Sequence, residues 1–157
     1  MKRRKQKSGI AYKSGEIAEL AGQSSHKALV SWAADCAENA LAFFEEKHPD
    51  DRRPRDAIEK GRAWVRGEIS TGEARTAAFS AHEAARIADP KSAASAAARA
   101  AGQAAATAHV PGHAVHAAAY AAKAVLCGTE PDGAADAVIK EREWQYHRLN
   151  TWNNLLK

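Results

Sequence analysis

The chain has 157 residues, a hydrophobic content of 45% to which alanine contributes much, and a formal net charge of +4. This length suits one domain with a sizeable core. The charge does not make the whole molecule basic, because five positive charges lie within the first seven residues, at Lys2, Arg3, Arg4, Lys5 and Lys7. The rest of the chain is close to neutral, which argues against a nucleic-acid-binding body.

We therefore divide the chain into a basic, flexible tail over residues 1–13 and a single all-α domain over residues 14–157. A short basic run of this kind is typical of a solvated extension. Binding of DNA or RNA phosphates by the tail is the alternative, and it would make the protein a nucleic-acid-associated helical protein.

The longest stretch without a formal charge, residues 100–122, is mainly alanine and contains three histidines and a proline. Such a composition favours a buried helix pair over a membrane span. We expect a cytoplasmic protein without a membrane contact or cofactor. Cys36 and Cys127 are then free, buried thiols, since neither belongs to a Cys-x-x-Cys motif or to a pair of cysteine and histidine with metal-ligand spacing.

In chain order, apolar periodicity and capping residues predict a short helix over residues 14–21 and a long one that is capped by Ser24 or Ser25 and runs to about residue 47. A proline-punctuated turn follows, and Pro54 is predicted at the first position of a third helix. Gly61 within that helix indicates a close helix crossing.

Ser70 and Glu73 have the spacing of a capping box and begin a fourth helix. Asp89-Pro90 is predicted to cap the fifth helix, and Pro111 to open the sixth. A last helix begins around residues 130–132. Since no segment alternates as a strand would, the predicted fold class is all-α: a single-domain bundle or short array of six to seven alanine-rich helices.

Isolated polar side chains on the alanine-rich helices form the candidate partner-binding surface. They interrupt otherwise featureless alanine faces, and they are His82, Arg86, His113, His116 and Tyr120. The alternative is structural: the same groups could satisfy one another's hydrogen bonds inside the bundle.

Three of the histidines form a weaker candidate metal site. His109, His113 and His116 are spaced so that one continuous helix would place all three imidazoles on one face. Pro111 interrupts that helix, and no carboxylate follows nearby in the sequence to complete a zinc site. We therefore predict no metal, with a His-based metal-binding protein as the alternative.

Several arginines could together meet an acidic partner or phosphates, namely Arg62, Arg66, Arg75, Arg86 and Arg99. They could equally form a solvated face that is held by weak helix-spaced pairs such as Glu59 with Arg62.

No catalytic signature is present. Cys36 lies on an apolar stripe, and His26 is ten residues away on the same helix, which keeps it out of reach as an activating base. The sequence also lacks a phosphate-binding glycine loop and a Gly-x-Ser-x-Gly motif. We predict that the protein is not an enzyme.

Three motifs carry a family resemblance over residues 26–125: Trp-x-x-Asp-Cys-Ala at Trp32, Arg-Pro-Arg at Arg53, and Ala-Thr-Ala-His-x-x-x-His at Ala106. With them the chain resembles small bacterial alanine-rich helical proteins assigned as immunity proteins of polymorphic toxin systems. The resemblance implies a non-enzymatic, cytoplasmic protein that binds and neutralises a cognate toxin domain. It implies no set of binding residues.

The charge of the body bears on the toxin's chemistry. An inhibitor of a nuclease usually presents an acidic surface to a basic groove. Because this body is near neutral and the tail is basic, the sequence does not indicate a nuclease, and the chemistry of the toxin stays open.

Overall fold

The computed structural model describes residues 9–156. Within this range the chain folds into seven helices and a helical turn at residues 9–11, with no strand. This confirms the all-α fold class. The helices are α1 (Ser14–Gly22), α2 (His26–Glu45), α3 (Arg53–Val65), α4 (Thr71–Ile87), α5 (Ala93–Ala106), α6 (His113–Gly128) and α7 (Pro131–Leu155).

Three of the seven helices in the described range begin at a capping serine, and two of these caps were predicted. Ser25 Oγ accepts the N–H of Ala28 at 3.2 Å, and Ser70 Oγ accepts the N–H of Glu73 at 3.1 Å. Each such bond satisfies one of the N–H groups that the first turn leaves unpaired.

Two predicted starts were wrong. The cap of α5 is Ser92, whose Oγ accepts the N–H of Ser95, while Asp89 accepts the N–H of Lys91 within the preceding loop. Pro111 lies in a turn, and α6 begins two residues later at His113. In both cases a turn that follows the proline takes up residues assigned to the helix.

The helices pack as two layers of three. Helix α5 is central in one layer, between α4 and α6, and α2 is central in the other, between α3 and α7. Helix α5 lies on α2 and α3, and α1 packs at the edge against α7. Gly61 of α3 confirms the predicted close crossing, because a Cβ there would lie 3.8 Å from the backbone oxygen of Ala104 in α5.

The core is built from alanines around a few large side chains. Trp32 and Phe44 of α2 are fully buried, and the indole N–H of Trp32 donates to the backbone oxygen of Gln145 at 2.8 Å. Ala104 of α5 and Ala118 of α6 are fully buried, in agreement with the helix pair predicted over the uncharged residues 100–122. Small side chains allow these helix axes to approach closely.

Only one cysteine behaves as predicted. Cys36 is buried in α2, whereas Cys127 is exposed at the end of α6, because it falls on the outward line of that helix rather than on its packed side. Both thiols are free.

Residues 9–13 lie against α7. The Tyr12 hydroxyl donates to Glu143 at 2.9 Å, and the Arg142 Nε donates to the backbone oxygen of Tyr12 at 3.3 Å. The predicted tail boundary at residue 13 therefore falls after a segment that contacts the body. The basic residues assigned to nucleic-acid binding, Lys2, Arg3, Arg4, Lys5 and Lys7, lie outside the described residues.

None of the helices in the described range combines the length and the apolar character that crossing a bilayer requires.

Candidate partner-binding face

The outer surface of the α4–α5–α6 layer brings the predicted site residues together. His82, His113 and Tyr120 are partly buried, while Arg86 and His116 are exposed. Arg99 and Gln103 of α5, which were not among the predicted site residues, lie between them. We call this surface the α4–α6 face: His82, Arg86, Arg99, Gln103, His113, His116 and Tyr120.

The His82 ring is seated on a glycine of the neighbouring helix. A Cβ built at Gly102 would lie 2.6 Å from Cε1 of His82 and 2.8 Å from each ring nitrogen. Such distances are far inside van der Waals contact, so the ring occupies space that any other residue at position 102 would fill. Gly102 thus positions His82 on the face.

Burial and positive neighbours favour the neutral form of His82 and His113 by lowering the pKa of each. The pKa of His82 is lowered by burial and by the charges of Arg99, Arg86 and His113. The pKa of His113 is lowered by burial and by its neighbours His116 and His109. Since an ordinary histidine titrates near about 6.5, both imidazoles are uncharged at neutral pH.

Three buried polar atoms of the face have no hydrogen-bond partner among the described residues. They are Nδ1 of His82, Nδ1 of His113 and Oε1 of Gln103. Buried polar atoms in folded proteins are nearly always paired, so these groups do not satisfy one another as the structural alternative requires. They retain hydrogen-bonding capacity next to an exposed surface.

The face has no acidic side chain. Helices α5 and α6 contain neither aspartate nor glutamate, and nor does any residue from 90 to 129. On α4, Glu83 is directed to α3, 4.0 Å from Arg53, and Glu73 lies beside Ser70 in the first turn. Within residues 9–156, neither Arg86 nor Arg99 has a carboxylate within 4.0 Å.

The five arginines considered together in the sequence do not form one cluster. Arg62 donates to Asp35 at 2.9 Å and to Glu38 at 3.0 Å, both on α2, and not to Glu59. Arg66 pairs with Glu68. Arg75 lies over the ring of Phe79 on α4, 5.5 Å from its centroid. Only Arg86 and Arg99 adjoin His82.

Sequence reasoning missed a second polar centre, at Asp35 in the other layer. Its carboxylate accepts from Arg62, from Arg148 at 2.9 Å and from the Trp152 indole at 2.8 Å. The side chain is only 11% exposed, and beside it lies a cavity of about 260 Å³ lined partly by Ser31 and Val65. An aspartate within the apolar stripe of α2 was the available signal. Its donors join α2, α3 and α7, which is a structural role.

The three candidate metal ligands are not arranged as a set. His109 is exposed in the loop before α6, and the ring centroids of His113 and His116 are 6.3 Å apart. Across residues 9–156, no three His, Cys, Asp or Glu side chains are grouped as metal ligands would be.

The thiol considered as a nucleophile is also poorly suited to that role. Burial raises the pKa of Cys36 well above its ordinary value, and the thiolate is the reactive form. His26 is engaged elsewhere, with Nε2 2.7 Å from the backbone oxygen of Thr107 and its ring 4.6 Å from that of Trp64.

A comparison with protein families identifies the family to which this chain belongs. Residues 19–151 match the Imm-5 like putative immunity protein family. The chain belongs to this family. Comparisons with curated proteins and with solved structures gave no significant match. The family match is longer than the resemblance over residues 26–125, since it includes part of α1 and most of α7, and it contains the whole α4–α6 face.

Proposed function

We propose that the protein is an immunity protein that binds and neutralises a cognate toxin domain of a bacterial polymorphic toxin system. It acts in the cytoplasm, by binding alone and without enzymatic activity. The observation that carries this proposal is the match to the immunity family over residues 19–151. In this proposal the single domain binds the toxin, and the basic tail is not required for binding.

The α4–α6 face is the proposed toxin-binding surface. It is built on three packed helices, and such a surface needs little rearrangement on binding. Tyr120 and the two partly buried histidines supply rigid aromatic area, which is typical of the residues that dominate binding energy. The unpaired atoms Nδ1 of His82 and Oε1 of Gln103 can take hydrogen bonds from the partner.

Protection of cells tests this function. The chain, with and without residues 1–8, is expressed together with the toxin domain encoded directly upstream of its gene. We expect both forms to preserve growth and to bind the purified toxin domain. A locus without a toxin gene, or loss of growth despite a folded chain, would contradict the proposal.

The same deletion tests the alternative assigned to Lys2, Arg3, Arg4, Lys5 and Lys7. If the tail contacts phosphates, the full chain binds DNA or RNA with a steep salt dependence that the shortened chain lacks. We expect protection to be independent of the tail. A shortened chain that no longer protects would overturn this assignment.

A further inference from the structure

We propose that the α4–α6 face receives an acidic surface of the toxin domain, with carboxylates of the toxin meeting Arg86 and Arg99. This inference rests on the proposed function and deepens it, since it names the chemistry of the partner's surface.

Acidic side chains are unevenly distributed along the chain. The chain has 19 acidic residues, yet none lies between residues 90 and 129, the segment that forms α5 and α6. The near-neutral body therefore carries a surface whose only formal charges are positive. Total charge could not show this, because the acidic side chains lie elsewhere in the chain, among them Glu73 and Glu83 on α4 and Asp89 in the loop after it.

Arg86 and Arg99 are available for a partner in a way that Arg62 and Arg66 are not. Arg62 and Arg66 are paired with carboxylates of this chain at 2.9 Å and 2.6 Å. Arg86 is exposed and Arg99 partly buried, and in residues 9–156 neither is held by an acidic group. A guanidinium binds a carboxylate with two parallel hydrogen bonds.

The histidines fit the same partner. Neutral imidazoles add no further positive charge beside the two arginines, and each can donate a hydrogen bond to a carboxylate. Arg86, Arg99 and His113 surround His82, so a carboxylate placed there would relieve the repulsion among these groups.

A protein surface fits this face better than a nucleic acid does. Phe79 is 58% exposed on α4 beside Arg75, and alanine is the commonest residue of α4, α5 and α6. A nucleic-acid interface requires an array of cations that follows the phosphate backbone. Scattered arginines with aromatic and aliphatic surface between them are instead typical of a protein interface.

Charge reversal on the face provides the test. The double variant Arg86→Glu/Arg99→Glu is compared with the wild type and with Lys60→Glu, a reversal at an exposed site on α3. Affinity for the toxin domain is measured at low and high salt. We expect the double variant to bind about tenfold more weakly or worse, mainly through slower association, and Lys60→Glu to bind like the wild type.

The outcomes separate the inference from the function on which it rests. If the wild type protects cells and the double variant binds equally well or more tightly, the acidic-partner inference is wrong and the immunity function stands. If the folded wild type neither binds nor protects, the immunity function itself fails. If the chain without residues 1–8 binds RNA or DNA through Arg86 and Arg99, the face recognises phosphates and the inference is overturned.

Discussion

The imidazole of His82 on α4 lies directly against Gly102 of α5, in space that a side chain at position 102 would otherwise fill. A Cβ on residue 102 would come within 2.6 Å of the ring. This contact determines where the most buried histidine of the α4–α6 face lies, and a single methyl group can disturb it.

Gly102→Ala should displace His82 without unfolding the protein. The added methyl meets the outer end of a side chain that can rotate, and alanine within a helix is favoured over glycine by about 0.5–1 kcal/mol. We expect the free energy of unfolding to change by no more than about 1 kcal/mol. The pKa of His82, measured by NMR titration, should rise because the ring moves toward solvent.

Gly15→Ala is the matched control, since a Cβ there meets nothing within 4 Å. It should leave the titration of His82 unchanged. An unchanged pKa of His82 in Gly102→Ala would show that the ring is not held against α5.

Stability should fall as the pH drops below neutral, in part through His82. Burial and the charges of Arg99, Arg86 and His113 lower the pKa of His82 in the folded protein. The unfolded chain, with an ordinary pKa of about 6.5, binds protons first, and acidification therefore favours unfolding until the lowered folded pKa is passed.

The comparison of the wild type with His82→Gln isolates this effect. Chemical denaturation between about pH 7.5 and pH 5.5 should show a larger loss of stability in the wild type. Glu141, whose pKa burial raises, contributes the opposite slope, but it does so in both proteins. Parallel curves would mean that His82 titrates normally.

The sequence predicted helices well because their signals are local. Ser25 and Ser70 cap α2 and α4 as expected, since a cap depends on residues within one turn. Asp89 failed as a cap because its carboxylate is used within the loop, by the N–H of Lys91. The competing hydrogen bond from Lys91 also lies within three residues, but composition alone does not show that Ser92, rather than Asp89, caps the helix.

The sequence predicted candidate site residues only where a polar side chain interrupts an alanine-rich helix face. Polar residues on alanine helices stand out, and this identified His82 and His113. Their relationship to Gly102 and Arg99 could not be derived, because it depends on how α4 packs on α5. Arg62 is a similar case: helical spacing favours Glu59, but tertiary packing pairs Arg62 with Asp35, 27 residues away.

Adding volume inside the α5–α6 pair should destabilise the fold. Ala104 and Ala118 are fully buried, and a leucine at either position has no room. We expect Ala104→Leu and Ala118→Leu each to lower the free energy of unfolding by about 1–3 kcal/mol. Ala119→Leu, at a partly exposed position on α6, should be nearly neutral. Equal stability of all three variants would contradict the two-layer packing.

Removing the charge of Asp35 should weaken the other layer. Asp35→Asn leaves Arg62 and Arg148 without their shared carboxylate at a site that is only 11% exposed. Loss of a largely buried, charge-assisted network costs about 2–4 kcal/mol. Glu68→Gln removes an exposed pair with Arg66 and should cost less than about 1 kcal/mol. Thermal or denaturant unfolding compares the two, and similar small losses would show that Asp35 does not join the helices.

The proposed capture of a toxin domain through the α4–α6 face has one direct test. The most direct measurement is the dissociation constant for the toxin domain encoded beside its gene, taken with the triple variant His82→Ala/His113→Ala/Tyr120→Ala. A matched triple variant, Lys47→Ala/Asp50→Ala/Lys60→Ala, changes exposed residues outside the α4–α5–α6 layer. Circular dichroism is used to verify that both triple variants are folded. We expect only the face variant to bind at least about a hundredfold more weakly, which is a loss of roughly 2.7 kcal/mol of binding free energy. Wild-type affinity in the face variant, or an equal loss in the matched variant, would contradict the proposal.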